Sequence, residues 1–345
     1  MRSLFRLGLV LGTFAAVAGA AQIAQHARPP AQQLADAANH LLNLLTPEQA
    51  EKAKFRFDDP QRLRWFFTPQ QDAQRNPTRK GLSLADMNQA QKDAVLNLLK
   101  VALSQTGYTQ ATTIMSLEAV LAELEKNGRM VRDPQWYFLS IFGEPSGTGR
   151  WGWRLEGHHL SVNFTLDKGE VLSATPLMFG ANPAEIKSGP RKGQRTLPEI
   201  EDHAKSLIAA LTDEQKAIAA QPKSLPEIKE NSPTADVGPA IGLPLSRLTK
   251  PQQEIAWKLL EAYARRLPDT LAEAELAKVK AAGLESIRFA YHREENQPGK
   301  PYTYRLQGPN FVVEFLNVQN DSAGNPANHI HSAWRRLPAD FGLQQ

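Results

Sequence analysis

The chain has 345 residues, 41% of them hydrophobic and 22% charged, which describes a globular protein and excludes a disordered or fibrous one. Without a single cysteine it can form no disulfide, no thiolate metal site and no thiol nucleophile. Its 40 Lys and Arg against 36 Asp and Glu leave a net charge of only +4, too little over this length to point to nucleic acid.

The N-terminus carries Arg2 and Arg6, an apolar run from Leu7 to Val17, then Ala18-Gly19-Ala20. A basic start, a short apolar stretch and a small-x-small site read as a secretory signal peptide over residues 1–20; the run is too short to span a bilayer. The expected product is an exported protein, periplasmic or secreted, with no stable membrane insertion after cleavage. Cleavage would lower the net charge to +2, so the basicity says little about partners. Residues 21–35, polar and containing Pro29-Pro30, are expected to be a flexible lead-in.

Thr46, Pro47 and Gln49 form the signature of a capped helix start. Apolar residues at three-to-four spacing predict helices over 86–103 (Met87, Ala94, Val95, Leu98, Leu99) and 112–126 (Ile114, Leu117, Leu121, Leu124), with Gly128 as a stop. From Gln135 the period shortens, and strands are predicted over 136–142, 151–155, 159–166 and 171–178. Residues 221–242 hold four prolines and little periodicity, as expected of a linker or long surface loop. Helices over 251–266 and 270–282 follow, then strands over 287–292, 302–306 and 311–318.

Three stretches recur in the same order. Leu45-Thr46-Pro47-Glu48-Gln49 matches Leu211-Thr212-Asp213-Glu214-Gln215, and Gly81-Leu82-Ser83-Leu84 with Gln91 matches Gly242-Leu243-Pro244-Leu245 with Gln252. Trp151-Gly152-Trp153-Arg154-Leu155-Glu156-Gly157 matches Tyr302-Thr303-Tyr304-Arg305-Leu306-Gln307-Gly308. The expected fold is therefore α+β and internally duplicated, with halves over 36–198 and 199–345. Each half would be helices followed by an antiparallel meander, the two related by a pseudo-twofold axis. Neither GxGxxG nor GxxxxGK[ST] occurs, so no nucleotide cofactor is expected. The cations are dispersed, so no nucleic-acid partner is expected either.

Positions shared by the halves are explained first by folding. Arg154 and Arg305 are accordingly read as turn-pinning or paired with a carboxylate near the sheet centre. Polar positions where the halves diverge are the functional candidates. After Gly157 the first half has His158-His159, with Asn163 four residues on; after Gly308 the second has Glu314 at the position matching Asn163. On a strand, His159, Ser161 and Asn163 share one face. A twofold axis would bring Asn163 toward Glu314. His329-Ile330-His331 has no first-half counterpart, and His-x-His on a strand places both imidazoles on one side, a spacing suited to a transition metal. The same histidines could instead line a metal-free polar pocket or serve structural roles, and these alternatives stay open at this stage.

At Trp151–Thr165, Pro176–Glu185 and Ala327–Arg335, followed by Asp340-Phe341-Gly342, the sequence resembles the bacterial domain-of-unknown-function 3500 family over essentially the whole mature chain. The resemblance implies an often exported, functionally uncharacterised protein. It directs attention to His158, His159, Asn163, Glu314, Asn317, Gln319, Asn320, His329, His331 and Trp334. Where the family pattern carries Asp and Thr, this chain has Leu316 and Val318.

These observations combine into an exported metal-dependent enzyme, most simply a hydrolase. His158 or His159, with His329 and His331, would bind Zn²⁺, Fe²⁺, Cu²⁺ or Mn²⁺, and Glu314 would be ligand or general base. The rival is a non-enzymatic protein binding a small solute or metal in a pocket of Asn163, Asn317, Gln319, Asn320, Arg154, Arg305 and Trp334. The substrate or ligand would be an unidentified small molecule.

Overall fold

The structure is a computed structural model describing residues 29–126, 128–294 and 299–343; the signal peptide expected over residues 1–20 lies outside them. Side chains along its strands alternate between apolar and polar, and the two faces of the sheet divide accordingly. The helices are α1 (Pro30–Leu42), α2 (Pro47–Ala53), α3 (Gln89–Ala102), α4 (Gln105–Leu124), α5 (Pro198–Ala210), α6 (Asp213–Ala219), α7 (Lys250–Ala264) and α8 (Asp269–Ala281). The first strands are β1 (Lys54–Phe55), β2 (Leu82–Ser83), β3 (Phe138–Phe142), β4 (Trp151–Gly157), β5 (Leu160–Asp167), β6 (Glu170–Ser173) and β7 (Leu177–Ala181). The rest are β8 (Leu243–Pro244), β9 (Arg288–Arg293), β10 (Tyr302–Gln307), β11 (Phe311–Gln319) and β12 (His329–Arg336). All twelve strands join one mixed sheet in the order β1-β3-β4-β5-β7-β12-β11-β10-β9-β8, with β2 beside β3 and β6 beside β5. Only β1 against β3 is parallel among the named strands. No helix of the described residues is long and apolar enough to cross a membrane.

Leu139, Trp153, Leu155, Val162, Phe164, Phe179, Trp334, Phe315 and Tyr304 form the apolar face, which packs with residues of α1, α3, α5 and α7 in one continuous core. The opposite face is polar yet buried: Arg154, Glu156, Ser161, Asn163, Glu314 and Arg335 are each at most 3% exposed. Buried polar groups need partners, and segments laid across this face supply them. Arg154 donates to the carbonyls of Gln61 and Arg62, Arg305 to that of Val237, and Arg335 to those of Lys229 and Ser232. Trp65, Phe67, Ile228 and Phe341 close over Met178, Leu316 and Ala333 in a second, smaller apolar cluster on this side. Residues 221–242 thus carry no helix or strand, and Lys229 and Ser232 among them are held against the sheet by Arg335.

The helix caps repeat one device. Gln49, in the capping box of α2, meets the buried Gln91, whose amide donates to Leu44 O at 2.8 Å. Gln215, in the capping box of α6, meets the buried Gln252, whose amide donates to Ala210 O at 2.6 Å.

The lead-in expected over residues 21–35 is corrected at its C-terminal end. Pro30 occupies the first turn of α1, where a missing N–H costs nothing, and Ala31, Leu34, Ala35, Ala38 and Leu41 are buried at helical spacing. Helix α5 was not among the expected elements, and the strand expected over 171–178 divides into β6 and β7.

Glu156 lies between two buried guanidiniums, 3.2 Å from Arg154 Nε and 3.7 Å from Arg79 Nε, and accepts the Phe66 amide at 2.8 Å. Removing it strands two buried cations, so Glu156→Ala is expected to cost about 3–5 kcal/mol of unfolding free energy. Urea denaturation checks this, and a loss below about 1 kcal/mol would contradict it.

Candidate metal centre

Two local structures bring the histidines together. Gly157 pairs with Leu160 across β4 and β5, leaving His158 and His159 as a two-residue turn. His159 takes φ +60°, a left-handed conformation that a side chain other than Gly or Asn adopts at a cost of order 1 kcal/mol. It is pinned on both sides: its amide donates to Phe67 O at 2.8 Å, and its carbonyl accepts from Gly180 N at 2.8 Å. Gly180 has to be glycine, because a Cβ there would come within 2.7 Å of Ile330 O and 3.2 Å of the His159 side chain. On β12, His329 and His331 alternate with Ile330 and so face the same side. The His329 amide donates to Asn317 Oδ1 at 3.0 Å, beside the irregularity between Asn317 and Gln319.

The three rings converge on their Nε2 atoms. His159 to His329 is 2.9 Å, His159 to His331 is 3.2 Å and His329 to His331 is 3.2 Å. Each Nε2 has a single in-plane site, a proton or a lone pair. Three such atoms aimed at one point cannot form a closed ring of hydrogen bonds; at most one donates, to two lone pairs that repel. Ligands about 2.0–2.1 Å from one metal ion, at octahedral to tetrahedral angles, stand about 2.9–3.4 Å apart. The triangle matches that spacing.

Protonation follows the same logic. Burial, then the neighbouring imidazoles, push His159 well below the ordinary histidine range and His329 down to about 3. Both rings are therefore neutral near pH 7, with lone pairs available. His331 Nδ1 lies 2.9 Å from Glu227 Oε2, the kind of carboxylate partner that orients a ligating imidazole through its far nitrogen and leaves Nε2 facing inward. Phe67 meets the His331 ring edge-on, with centroids 5.0 Å apart.

Of the expected ligands, His158 does not join the group. Its ring stacks on His159 with centroids 3.8 Å apart, and its Nδ1 is taken by Glu118 and approached by Arg132 at 3.2 Å. Glu314, opposite Ala333 as His331 is opposite Leu316, is not one of the three converging groups, and it pairs with Arg305 at 3.4 Å. Asn163 binds Ser161 and Pro176 O, and β7 and β12 separate it from the strand of Glu314, so the expected approach of those two residues does not occur.

The remaining pocket candidates do not share one pocket. Arg154 is bound within the sheet's buried charges, and Trp334 stacks on Phe311 on the opposite face. Asn317 supports the His329 backbone; Gln319 and Asn320 are exposed beside it. Glu227, Glu118 and Arg132 were missed in the sequence. Each is a charged residue on a loop or helix face, and nothing in local spacing sets it apart.

The depressed histidines make stability pH-dependent. Below about pH 6.5, the unfolded value, the unfolded chain binds protons that the folded chain refuses, at His329 down to about pH 3 and at His159 well below the ordinary histidine range. Their contribution is full above about pH 6.5 and is lost as pH falls, at about 1.4 kcal/mol per pH unit per proton. Glu314 runs the other way: burial raises it to about 7, so its contribution is full below about pH 4.5 and lost as pH rises through 7. In urea melts from pH 4 to 8, His329→Gln should flatten the acid limb and Glu314→Gln should stabilise relative to wild type as pH rises. Unchanged pH slopes would contradict both assignments.

No curated protein and no solved structure matches the chain. Residues 27–343 match the family described as protein of unknown function DUF3500, nearly the whole chain and both segments that build the histidine triangle. The chain belongs to that family.

Proposed function

We propose that His159, His329 and His331 hold one divalent transition-metal ion, and that the protein is a metal-dependent enzyme of hydrolytic type. The observation that carries this is the triangle of converging Nε2 atoms with 2.9–3.2 Å edges. Three imidazoles without a carboxylate suit Zn²⁺, Cu²⁺ or Fe²⁺ better than Mn²⁺. Three protein ligands leave a coordination position open, and an ion so held acidifies a water there. Glu227, half-exposed on the outward side of His331, orients that ligand through Nδ1, and Glu314, first expected as ligand or base, is not among the converging groups.

The rival reading, a non-enzymatic metal-binding protein, draws support from the pairing of Glu314 with Arg305 instead of with the triangle. We also infer an internal duplication. Its support is the mirrored strand order, β2-β3-β4-β5-β7 against β8-β9-β10-β11-β12, together with the two equivalent glutamine pairs. Export through residues 1–20 completes the proposal, placing the mature chain in the periplasm or outside the cell.

Elemental analysis of protein purified without a histidine tag should find about one metal ion per chain, lost in a His329→Ala/His331→Ala double variant. His159→Asn, which keeps a residue tolerant of φ +60°, should fold yet lose the ion. Metal at about 100 times its Kd should stabilise wild type by about 2.7 kcal/mol and the variants by far less. Metal-free protein with no thermal shift would end the metal reading. Bound metal without turnover on ester, phosphoester, peptide or glycoside substrates would favour the rival.

A further inference from the structure

The triangle depends on a residue that touches none of its atoms. Glu230, in the segment over residues 221–242, accepts the Phe67 amide at 2.8 Å and the Thr68 amide at 3.1 Å on Oε2. Its Oε1 accepts the Thr68 hydroxyl at 2.7 Å. The carbonyl of the same Phe67 accepts the His159 amide at 2.8 Å, and its ring lies edge-on against His331 at 5.0 Å. One carboxylate therefore fixes the short stretch that contacts two of the three candidate ligands.

Other groups fasten the neighbours of this stretch, not Phe67 itself. Glu156 takes the Phe66 amide, and Arg79 binds the carbonyls of Phe66 and Thr68. Among the described residues, the Phe67 amide has Glu230 as its partner. The need for such a hold is specific. His159 sits in a left-handed turn that does not favour its own side chain, so its direction depends on what grips its backbone. Glu227, three positions earlier, grips His331 directly. The span from Glu227 to Glu230 thus reaches the triangle twice, once by contact and once through Phe67.

We infer that Glu230 is a positioning residue for the metal centre, holding His159 and His331 at ligand spacing through Phe67; this rests on the metal reading above. Groups that orient ligands without touching the metal typically change affinity about 10- to 100-fold when removed.

The test is a Co²⁺ titration of the full, untagged chain, followed by absorption, at a temperature well below every variant's melting transition. Glu230→Ala should weaken Co²⁺ binding about 10- to 100-fold and alter the ligand-field spectrum. Glu230→Gln keeps one acceptor oxygen and should fall between it and wild type. Lys229→Ala, which loses only a surface pair with Asp236, should bind as wild type. Glu230→Ala binding Co²⁺ with wild-type affinity and spectrum would overturn the inference, even if its melting temperature drops. Should Glu230→Ala fail to fold, Thr68→Val removes the hydroxyl's bonds to Glu230 and Gln70, leaves both amide bonds to Glu230, and should weaken binding about 2- to 5-fold; wild-type affinity there would overturn the inference equally. A wild-type chain that binds no Co²⁺ is a different failure, that of the metal reading itself.

Discussion

A sheet with charges buried on one face has to satisfy them, and that requirement organises the molecule. Arg154 and Glu156 of β4 and Arg305, Glu314 and Arg335 of β10, β11 and β12 are all buried, and an unpaired charge there would cost several kcal/mol. A short 3-10 helix over Pro60–Leu63 and the irregular stretch Leu225–Gly238 offer carbonyls to the guanidiniums. Trp65, just beyond the 3-10 helix, also meets the second stretch: Asn231 N donates to Trp65 O at 2.7 Å, and Trp65 Nε1 donates to Ser232 O at 2.9 Å. The histidine triangle lies where these covering segments reach the end of β12. Its geometry is inherited from the way the polar face is closed.

The triangle in turn reverses the usual economy of buried histidine. An imidazole in a core ordinarily spends both nitrogens on hydrogen bonds, as His292 does in part by meeting Gln221 O at 2.9 Å. Here three Nε2 atoms face one another, burial keeps the His159 and His329 rings neutral, and Glu227 occupies the far nitrogen of His331. The arrangement stores lone-pair repulsion that a cation would relieve. That asymmetry, inward lone pairs and an outward carboxylate, is what a metal centre needs and what a hydrogen-bonded core does not produce.

Elements with strong periodicity were readable from the chain. Met87 through Ala102 announces α3 by spacing alone, and the alternation from Leu160 to Asp167 announces β5. Helix α1 was hidden because alanines supply most of its buried stripe, and Pro29-Pro30 reads as a break although it begins the helix. His329 and His331 could be paired from their spacing on a strand. Choosing His159 over His158 could not, because that choice depends on a left-handed turn whose backbone is held by Phe67 and Gly180. Glu314 drew attention as the charge that broke the match with Asn163, yet its burial serves Arg305 and the closed face. Glu227 and Glu230 sit in a proline-rich stretch with no period, and only tertiary contact gives them meaning.

The central claim is that the three Nε2 atoms surround an ion, and diffraction at a metal absorption edge tests it most directly. Crystals grown with Zn²⁺ should show one anomalous peak about 2.0–2.1 Å from Nε2 of His159, His329 and His331. A map with no peak there, and with the rings turned apart around ordered water, would contradict the account.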